Sequence, residues 1–346
     1  MKWFMRLFFL FVVAGVVAGG YGYWEGSRFL ATPPSAEGQE VLFDVEPGTA
    51  FGRVAEQLQA KGCITNARYF GWLARYKQWD SRLQAGRFAL NTGWQPEKVL
   101  DQLVNGHPVL YRITLREGLT WWEVGQTLSE AGFVRAEDFQ TVITDPAFLR
   151  HYGIPFASAE GFLLPNTYLL KKPDSPTLAD ARSIAGRLVD TFWQKTAPLW
   201  PGGQKPKGAE LQRLVTLASI VERETAIPAE RPRVAGVYAN RLKANMLLQA
   251  DPTVIYGIGP AFDGNLRRSQ LGDANNLYNT YQRPGLPPGP ICSPGVASLR
   301  AALQPEVHDF YYFVAKSDGG EHAFSVNLSE HNKAVRQYLE SRKKNR

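Results

Sequence analysis

The feature that most limits the fold of this chain is an uncharged stretch near its N-terminus. Residues 7–24 read LFFLFVVAGVVAGGYGYW, and Lys2 and Arg6 precede them. As a helix, a stretch of this length rises about 27 Å, which is close to the hydrocarbon thickness of a bilayer. The sequence therefore predicts that residues 1–24 form a cytoplasmic N-terminus and a transmembrane anchor.

The residues at the two ends of this stretch predict its orientation. Basic residues collect on the cytoplasmic side of a span, and Tyr21, Tyr23 and Trp24 form an aromatic collar at the far interface. We therefore expect a single-pass protein of the cell inner membrane with its C-terminal part in the periplasm. The alternative is a cleaved signal peptide, with Ala14 or Ala18 near the cleavage site, but the apolar run exceeds the usual h-region of about 7–15 residues.

The charge of the chain limits the class of its binding partner, and its cysteine content bears on disulfides. The formal net charge of +7 favours an anionic partner, which can be nucleic acid, a phospholipid surface or a cell-wall polymer. Export of the chain argues against nucleic acid. Cys63 and Cys292 permit a disulfide but do not imply one, and we interpret both as small buried apolar residues. No zinc-ligand spacing and no glycine-rich phosphate loop occurs, so we expect neither a metal nor a cofactor.

The next part of the chain contains a linker and an internal repeat. Residues 25–39 have no apolar period and read as a linker. Residues 45–64 then align with residues 115–134, and the aligned glycines predict a strand, a turn, an amphipathic helix and a glycine stop in each copy. Residues 40–110 thus form a small α/β subdomain, either a carbohydrate-binding module similar to LysM or a spacer.

Residues 111–346 are expected to form an α+β domain. Helices are predicted at 209–226 and at about 230–244. A hairpin signal, SDGG, joins the strands DFYYFVA and HAFSV, and Asn327 with Glu330 predicts the N-cap of the last helix. Helices beside a hairpin favour an α+β fold over a wound parallel sheet.

One carboxylate continues an apolar row on the first of these helices. Leu211, Val215, Ala218 and Glu222 fall on one stripe, whereas Glu224 points about 160° away from Glu222. Burial raises the pKa of a carboxyl group, which is what a general acid near neutral pH requires. The alternative is a structural glutamate paired with an arginine, and periodicity alone leaves both open.

Several multi-residue motifs resemble those of one family. SIVERET, LLQADPTVIYGIG, NTYQRPGLPPGPICSPGVASLRAAL and YYFVAKSDGGEHAFSVNLSEHN, with EGFLLPNTY upstream, occur in the order and spacing of the endolytic murein transglycosylase, or YceG-like, family. The resemblance covers about residues 42–340. One departure is Asn166, which stands where the family usually has aspartate.

The resemblance implies a peptidoglycan lytic transglycosylase and makes residues 111–346 its catalytic domain. Such an enzyme cleaves the β-1,4 bond between MurNAc and GlcNAc without water and leaves 1,6-anhydroMurNAc ends. The resemblance implies that Glu222 acts first as general acid and then as base, and that glycan strands are the substrate. It also implies that the protein terminates nascent strands and has peptidoglycan synthases as partners. The alternative is a non-catalytic glycan-binding scaffold for those synthases.

The resemblance also implies residues that contact the glycan. They are Glu224, Gln249, Asp251, Thr253, Tyr256, Asn279, Thr280, Tyr281, His322 and Asn327. For several of them a structural role is the competing interpretation. Glu224 can fix its helix, Asp251 can serve as an N-cap, and His322 can hydrogen-bond a neighbour. Asn279 and Thr280 can hydrogen-bond within their own loop.

Overall fold

The computed structural model describes residues 2–46, 48–316 and 320–344. The chain divides into two compact units, one ending at Tyr111 and the other starting at Arg112. Each unit has a buried core of its own.

The first unit combines helices with a two-stranded antiparallel sheet. Its elements are α1 (Lys2–Ala31), β1 (Glu40–Val45), α2 (Phe51–Ala60), α3 (Ala67–Tyr76), β2 (Gly86–Asn91) and α4 (Pro96–Val104). Phe43 of β1 pairs with Phe88 of β2, and both rings are buried in the core with Leu58 and Leu100. Alternate residues of these strands point into the core, as the period of two in a half-buried strand requires.

Helix α1 extends further than the sequence predicts. Residues 25–31, expected to belong to a linker, continue the helix, and the Phe29 side chain is buried with its ring 5.7 Å from that of Tyr69. Burial of this one aromatic ring favours the helical path over an open linker. Within the described residues, no helix has both the length and the apolar character that a membrane span needs. The anchor at residues 7–24 therefore stays a prediction.

The repeated strand-turn-helix pattern is confirmed, with one copy in each unit. β1 and α2 form the first copy, and β3 (Tyr111–Leu115) and α5 (Trp121–Glu130) form the second. Gly62 and Gly132, one residue beyond each helix C-cap, have φ values of 69° and 76°. The residue after each glycine donates its N–H to the carbonyl oxygen of Leu58 or Leu128, which closes both helices in the same Schellman geometry.

The second unit is mainly helical with short strands. After α5 it contains α6 (Ala136–Ile143), α7 (Pro146–Tyr152), β4 (Asn166–Leu170), α8 (Leu178–Thr196), α9 (Gly208–Glu224), α10 (Arg231–Lys243), α11 (Asp251–Ile258), α12 (Arg268–Leu271), α13 (Val296–Leu303), β5 (Tyr312–Ala315), β6 (His322–Ser325) and α14 (Leu328–Lys344). Short 3₁₀ turns lie at Ala197–Leu199, Pro201–Gly203, Pro228–Glu230 and Gly259–Ala261.

The sheets of the described residues are two-stranded and separate, which supports the α+β assignment. β3 pairs with β4, and β5 pairs with β6 as the predicted antiparallel hairpin. Residues 317–319 of the SDGG turn lie outside the described residues. Asn327 and Glu330 exchange hydrogen bonds at the start of α14, so the predicted N-cap pair is confirmed.

The core of the second unit surrounds α9. Leu217, Ile220 and Val221 of this helix pack with Val234 and Tyr238 of α10. α11 and α13 also pack against α9, so α9 contacts three other helices of the unit. Cys63 and Cys292 are both buried and free, in agreement with their predicted role as apolar residues.

Candidate active site

Two glutamates lie in the last turn of α9. The helix ends at Glu224 because Thr225 is extended and Pro228 follows three residues later. Glu222 and Glu224 point about 160° apart around the helix axis, so they face different neighbours. α10 supplies a partner to each of them.

Glu222 is held in a buried ion pair. Its Oε1 accepts a hydrogen bond from Nη2 of Arg231 at 2.9 Å, and its Oε2 accepts one from the backbone N–H of Gly295 at 2.8 Å. The side chain is 4% exposed, and the same Arg231 nitrogen lies 3.1 Å from Oε2 of Glu117. Both carboxyl oxygens of Glu222 therefore act as acceptors, one from Arg231 and one from the backbone of Gly295.

These surroundings differ from those predicted for Glu222. Periodicity correctly placed Glu222 on the buried side of α9, but the buried carboxyl group is paired with the cation of Arg231. Helical spacing shows which residues share a face of one helix, but it does not show which residues of another helix contact that face. Arg231, the first residue of α10, could therefore not be predicted as the partner of Glu222. Glu222 thus has the arginine partner that the structural alternative describes, and its catalytic role stays a prediction.

Glu224 has the properties of a group that holds a proton near neutral pH. Burial raises its pKa to about 7, the hydrogen bond from Tyr238 opposes this rise, and the charge of Asp251 adds to it. The Tyr238 hydroxyl donates to Oε1 of Glu224 at 2.9 Å. As a whole residue Glu224 is only half-buried, so it is not sealed from the surface. A carboxyl group that titrates near pH 7 suits general acid and base catalysis.

Two predicted glycan contacts, Asp251 and Tyr281, interact with the charge of Glu224, and a third, Gln249, is linked to Thr280. The Tyr281 hydroxyl donates to Oδ1 of Asp251 at 2.5 Å, and the charge of Glu224 contributes to the raised pKa of Tyr281, after burial and Asp251 itself. Gln249 is exposed and has a φ of 52°, a left-handed conformation that is uncommon outside glycine. Its N–H donates to the carbonyl oxygen of Thr280 at 3.1 Å, which ties it to the same region.

Three other predicted contacts are part of the scaffold. Thr253, Asn279 and Thr280 are buried. The Asn279 amide donates to the carbonyl oxygens of Gln270, Leu271 and Asp273. Thr253 and Thr280 hydrogen-bond each other at 2.9 Å, and Thr280 also accepts the N–H of Ala250. Asn279 thus hydrogen-bonds within its own loop, whereas Thr280 bonds the start of α11 through Ala250 and Thr253.

Tyr256 contacts the buried carboxyl group of Glu160, a residue that the sequence analysis did not identify as a candidate. Glu160 is 2% exposed, and burial raises its pKa to about 8. Its oxygens accept the N–H groups of Trp121 and Gly161, and its carboxyl group also hydrogen-bonds Tyr256. Glu160 begins EGFLLPNTY and lies in the irregular part of it that precedes β4, where no periodicity marks a buried position. The only feature of the sequence that pointed to Glu160 was its place in the motif EGFLLPNTY.

Aromatic rings surround Tyr256. Its ring centroid is 5.0 Å from that of Trp122 and 4.8 Å from that of Tyr278. All three residues are half-buried, so edges of this cluster reach the surface. Such rings can pack against the apolar face of a sugar.

The last two predicted contacts lie on the C-terminal elements. His322 Nδ1 is 2.7 Å from Oε2 of Glu230, and its backbone N–H donates to the other carboxyl oxygen, so this histidine holds β6 to the start of α10. Burial raises the pKa of Glu230, but the hydrogen bonds from His322 outweigh burial and lower it. Asn327 is exposed and belongs to the α14 cap. The structure does not bring Asn327 to the Glu224 region.

Comparisons with known proteins identify relatives along nearly the whole chain. The sequence profile of the YceG-like family matches residues 43–337. An endolytic murein transglycosylase of Bacillus subtilis is 29% identical, over 94% of this chain and 92% of its own length. One of Streptococcus pneumoniae is 27% identical over 96% of this chain, which spans only 65% of that longer protein.

A solved structure agrees with this match. The crystal structure of a YceG-like protein from Listeria monocytogenes aligns with a TM-score of 0.55 and 27% sequence identity, over 85% of this chain and 99% of the other. The chain belongs to the YceG-like family.

Proposed function

We propose that this chain is a lytic transglycosylase that cleaves peptidoglycan glycan strands internally. The curated relatives named endolytic murein transglycosylases support this reaction class. The observation that carries the proposal is the position of Glu224 at the end of α9, where its carboxyl group accepts a hydrogen bond from Tyr238 and lies within the charge field of the exposed Asp251.

A single carboxyl group is sufficient for a reaction that uses no water. Ordinary glycosidases need two carboxylates, one to protonate the leaving oxygen and one to attack or to activate water. In a lytic transglycosylase the sugar supplies its own nucleophile. The Glu224 proton goes to the glycosidic oxygen as the bond from C1 of MurNAc to O4 of GlcNAc breaks. The C6 hydroxyl oxygen then bonds to C1, and its proton returns to Glu224.

We assign the acid and base role to Glu224 in place of Glu222. A general acid must carry a proton and deliver it within hydrogen-bond reach. Glu222 accepts hydrogen bonds on both oxygens and is paired with Arg231. Glu224 has one close donor, Tyr238, and a pKa that leaves it substantially protonated at neutral pH.

The groups around Glu224 are suited to hold a sugar. Gln249, Asp251 and Tyr281 offer an amide, a carboxylate and a phenol, which can hydrogen-bond hydroxyl and acetamido groups. The half-buried rings of Trp122, Tyr256 and Tyr278 supply apolar surface. We propose that a glycan strand lies across this polar and aromatic surface.

The matched variants Glu224→Gln and Glu222→Gln test the assignment. Both keep the side-chain shape, and each removes one carboxyl group. Incubation with purified glycan strands, followed by mass spectrometry of 1,6-anhydroMurNAc ends, should show a loss of about 10²–10⁴-fold for Glu224→Gln. Glu222→Gln should retain activity in the folded fraction. Undiminished product from Glu224→Gln would refute the assignment, and no product from the wild-type protein would refute the reaction class.

The sequence also supports a position at the membrane. We propose that residues 7–24 anchor the chain in the inner membrane with the residues after 24 in the periplasm, where it could terminate nascent strands beside peptidoglycan synthases. The support is the uncharged stretch with basic residues before it and an aromatic collar after it. A reporter active only in the periplasm, fused at the C-terminus, should be active, and an inactive but intact fusion would refute this topology.

A further inference from the structure

A cavity of about 330 Å³ lies in the loop that follows α12. Its apolar walls are Leu277, Leu286 and the pair Pro287 and Pro288. Its volume falls at the lower end of the range for ligand pockets, roughly 300–1,000 Å³. The cavity is rigid on its loop side, because proline fixes φ and because Gly285, after Pro284, has the positive φ that a type II turn requires.

One cation lines this cavity. Arg283 is exposed, and its Nη2 donates to the carbonyl oxygen of Ala274 at 3.0 Å. Among the described residues no carboxylate pairs with Arg283, whereas the nearby Arg267 is paired with Asp263. The remaining N–H groups of the Arg283 guanidinium are thus available, and this planar fork matches a carboxylate.

The cavity adjoins the candidate active site. Thr280 lines the cavity, and its carbonyl oxygen accepts the N–H of Gln249. The next residue, Tyr281, hydrogen-bonds Asp251, whose charge raises the pKa of Glu224. Arg283 follows two residues later. Hydrogen bonds from Thr280 and Tyr281 thus connect the cavity lining to residues near Glu224, which makes a substituent of a strand held at Glu224 the natural candidate for the cavity.

We propose that this cavity binds the peptide substituent of the glycan, with Arg283 pairing with one of its carboxylates. The inference rests on the proposed function and names a specificity site for it. In peptidoglycan, short acidic peptides are attached to the lactyl group of MurNAc, the same sugar whose C1 reacts. A cavity with apolar walls and one unpaired arginine fits aliphatic peptide side chains together with a carboxylate. An unsubstituted sugar offers neither group.

The test compares two substrates and three full-length variants. The substrates are peptide-bearing glycan strands and the same strands after enzymatic removal of the peptides. Arg283→Gln should lower kcat/KM for anhydro-end formation about 3- to 10-fold on peptide-bearing strands and leave peptide-free strands unchanged. Arg283→Lys should lose less, since it keeps the charge. Arg268→Gln, an exposed arginine outside the cavity, is the matched control.

Two outcomes overturn the proposal. Equal losses on both substrates would mean that Arg283 only supports the loop through Ala274. If Arg283→Gln and Arg268→Gln changed kcat/KM on peptide-bearing strands equally, the loss would come from reduced positive charge in general and not from the cavity. If the wild-type protein produces anhydro ends from neither substrate, the proposed function itself fails. Binding of the two strand types to Glu224→Gln, with and without Arg283→Gln, then measures peptide recognition without turnover.

Discussion

The Tyr238 hydroxyl donates a hydrogen bond of 2.9 Å to the carboxyl group of Glu224, and both side chains belong to the crossing of α9 and α10. The donor favours the charged carboxylate, whereas burial and the charge of Asp251 favour the protonated acid. The balance of these effects places the pKa of Glu224 at about 7.

This balance predicts opposite pH shifts in two variants. Tyr238→Phe removes the donor, so the pKa of Glu224 should rise and the decline of kcat/KM with increasing pH should move to higher pH. Asp251→Asn removes a negative charge, so the same decline should move to lower pH. The measurement is the rate of anhydro-end formation across roughly pH 5–9. Shifts in the same direction in both variants would contradict Glu224 as the titrating acid.

The ion pair between Glu222 and Arg231 should contribute to stability. Removal of one partner from a buried pair costs about 3–5 kcal/mol, and Glu222→Gln leaves Arg231 with only the half-exposed Glu117. Urea unfolding should therefore show a loss near the lower end of that range. The double variant with Arg231→Gln should lose less than the sum of the single losses. Strictly additive losses would show that the two residues do not interact.

Glu160 should make stability depend on pH. Its folded-state pKa of about 8 lies above its ordinary value of 4.5, so between these pH values the folded protein holds a proton that the unfolded chain has lost. Stability should fall as pH rises through this window, by up to about 1.4 kcal/mol per pH unit. Glu160→Gln should flatten the fall, whereas Glu210→Gln, an exposed carboxyl group on α9, should not. Parallel pH profiles for the wild-type protein and Glu160→Gln would contradict this account.

Replacement of Gly161, the residue after Glu160, by a residue with a side chain should destabilise the protein. Gly161 has a φ of 84°, and a Cβ atom there would lie 2.6 Å from Val215 and 2.7 Å from Pro290. Gly161→Ala should cost about 1–2 kcal/mol for the left-handed backbone and a further 1–3 kcal/mol for overpacking. Gly153→Ala has a similar φ of 66° but open space around it, so thermal unfolding should show only the smaller loss. Equal losses in the two variants would exclude the overpacking contribution.

The fold could be predicted where local sequence rules operate. Gly62 and Gly132 ended their helices as expected, and Asn327 capped α14, because each effect depends on a few neighbouring residues. The continuation of α1 to Ala31 was missed because it depends on Phe29 reaching a core built by α3.

The candidate site shows the same limit. The motif SIVERET pointed to the last turn of α9, which carries the acid proposed above, but the proposed choice of Glu224 over Glu222 rests on Arg231 and Tyr238 of the neighbouring helix. Glu160 was missed because its burial depends on Trp121 and Tyr256, which are distant in sequence.

The Asn279 amide, bound to three carbonyl oxygens of its own loop, has a consequence for binding kinetics. Asn279 lines the same cavity as Arg283, so this side of the cavity is already ordered and should gain little further order when a strand binds. Association should therefore proceed as a single exponential whose rate grows linearly with strand concentration, without the plateau that a slow rearrangement after encounter produces.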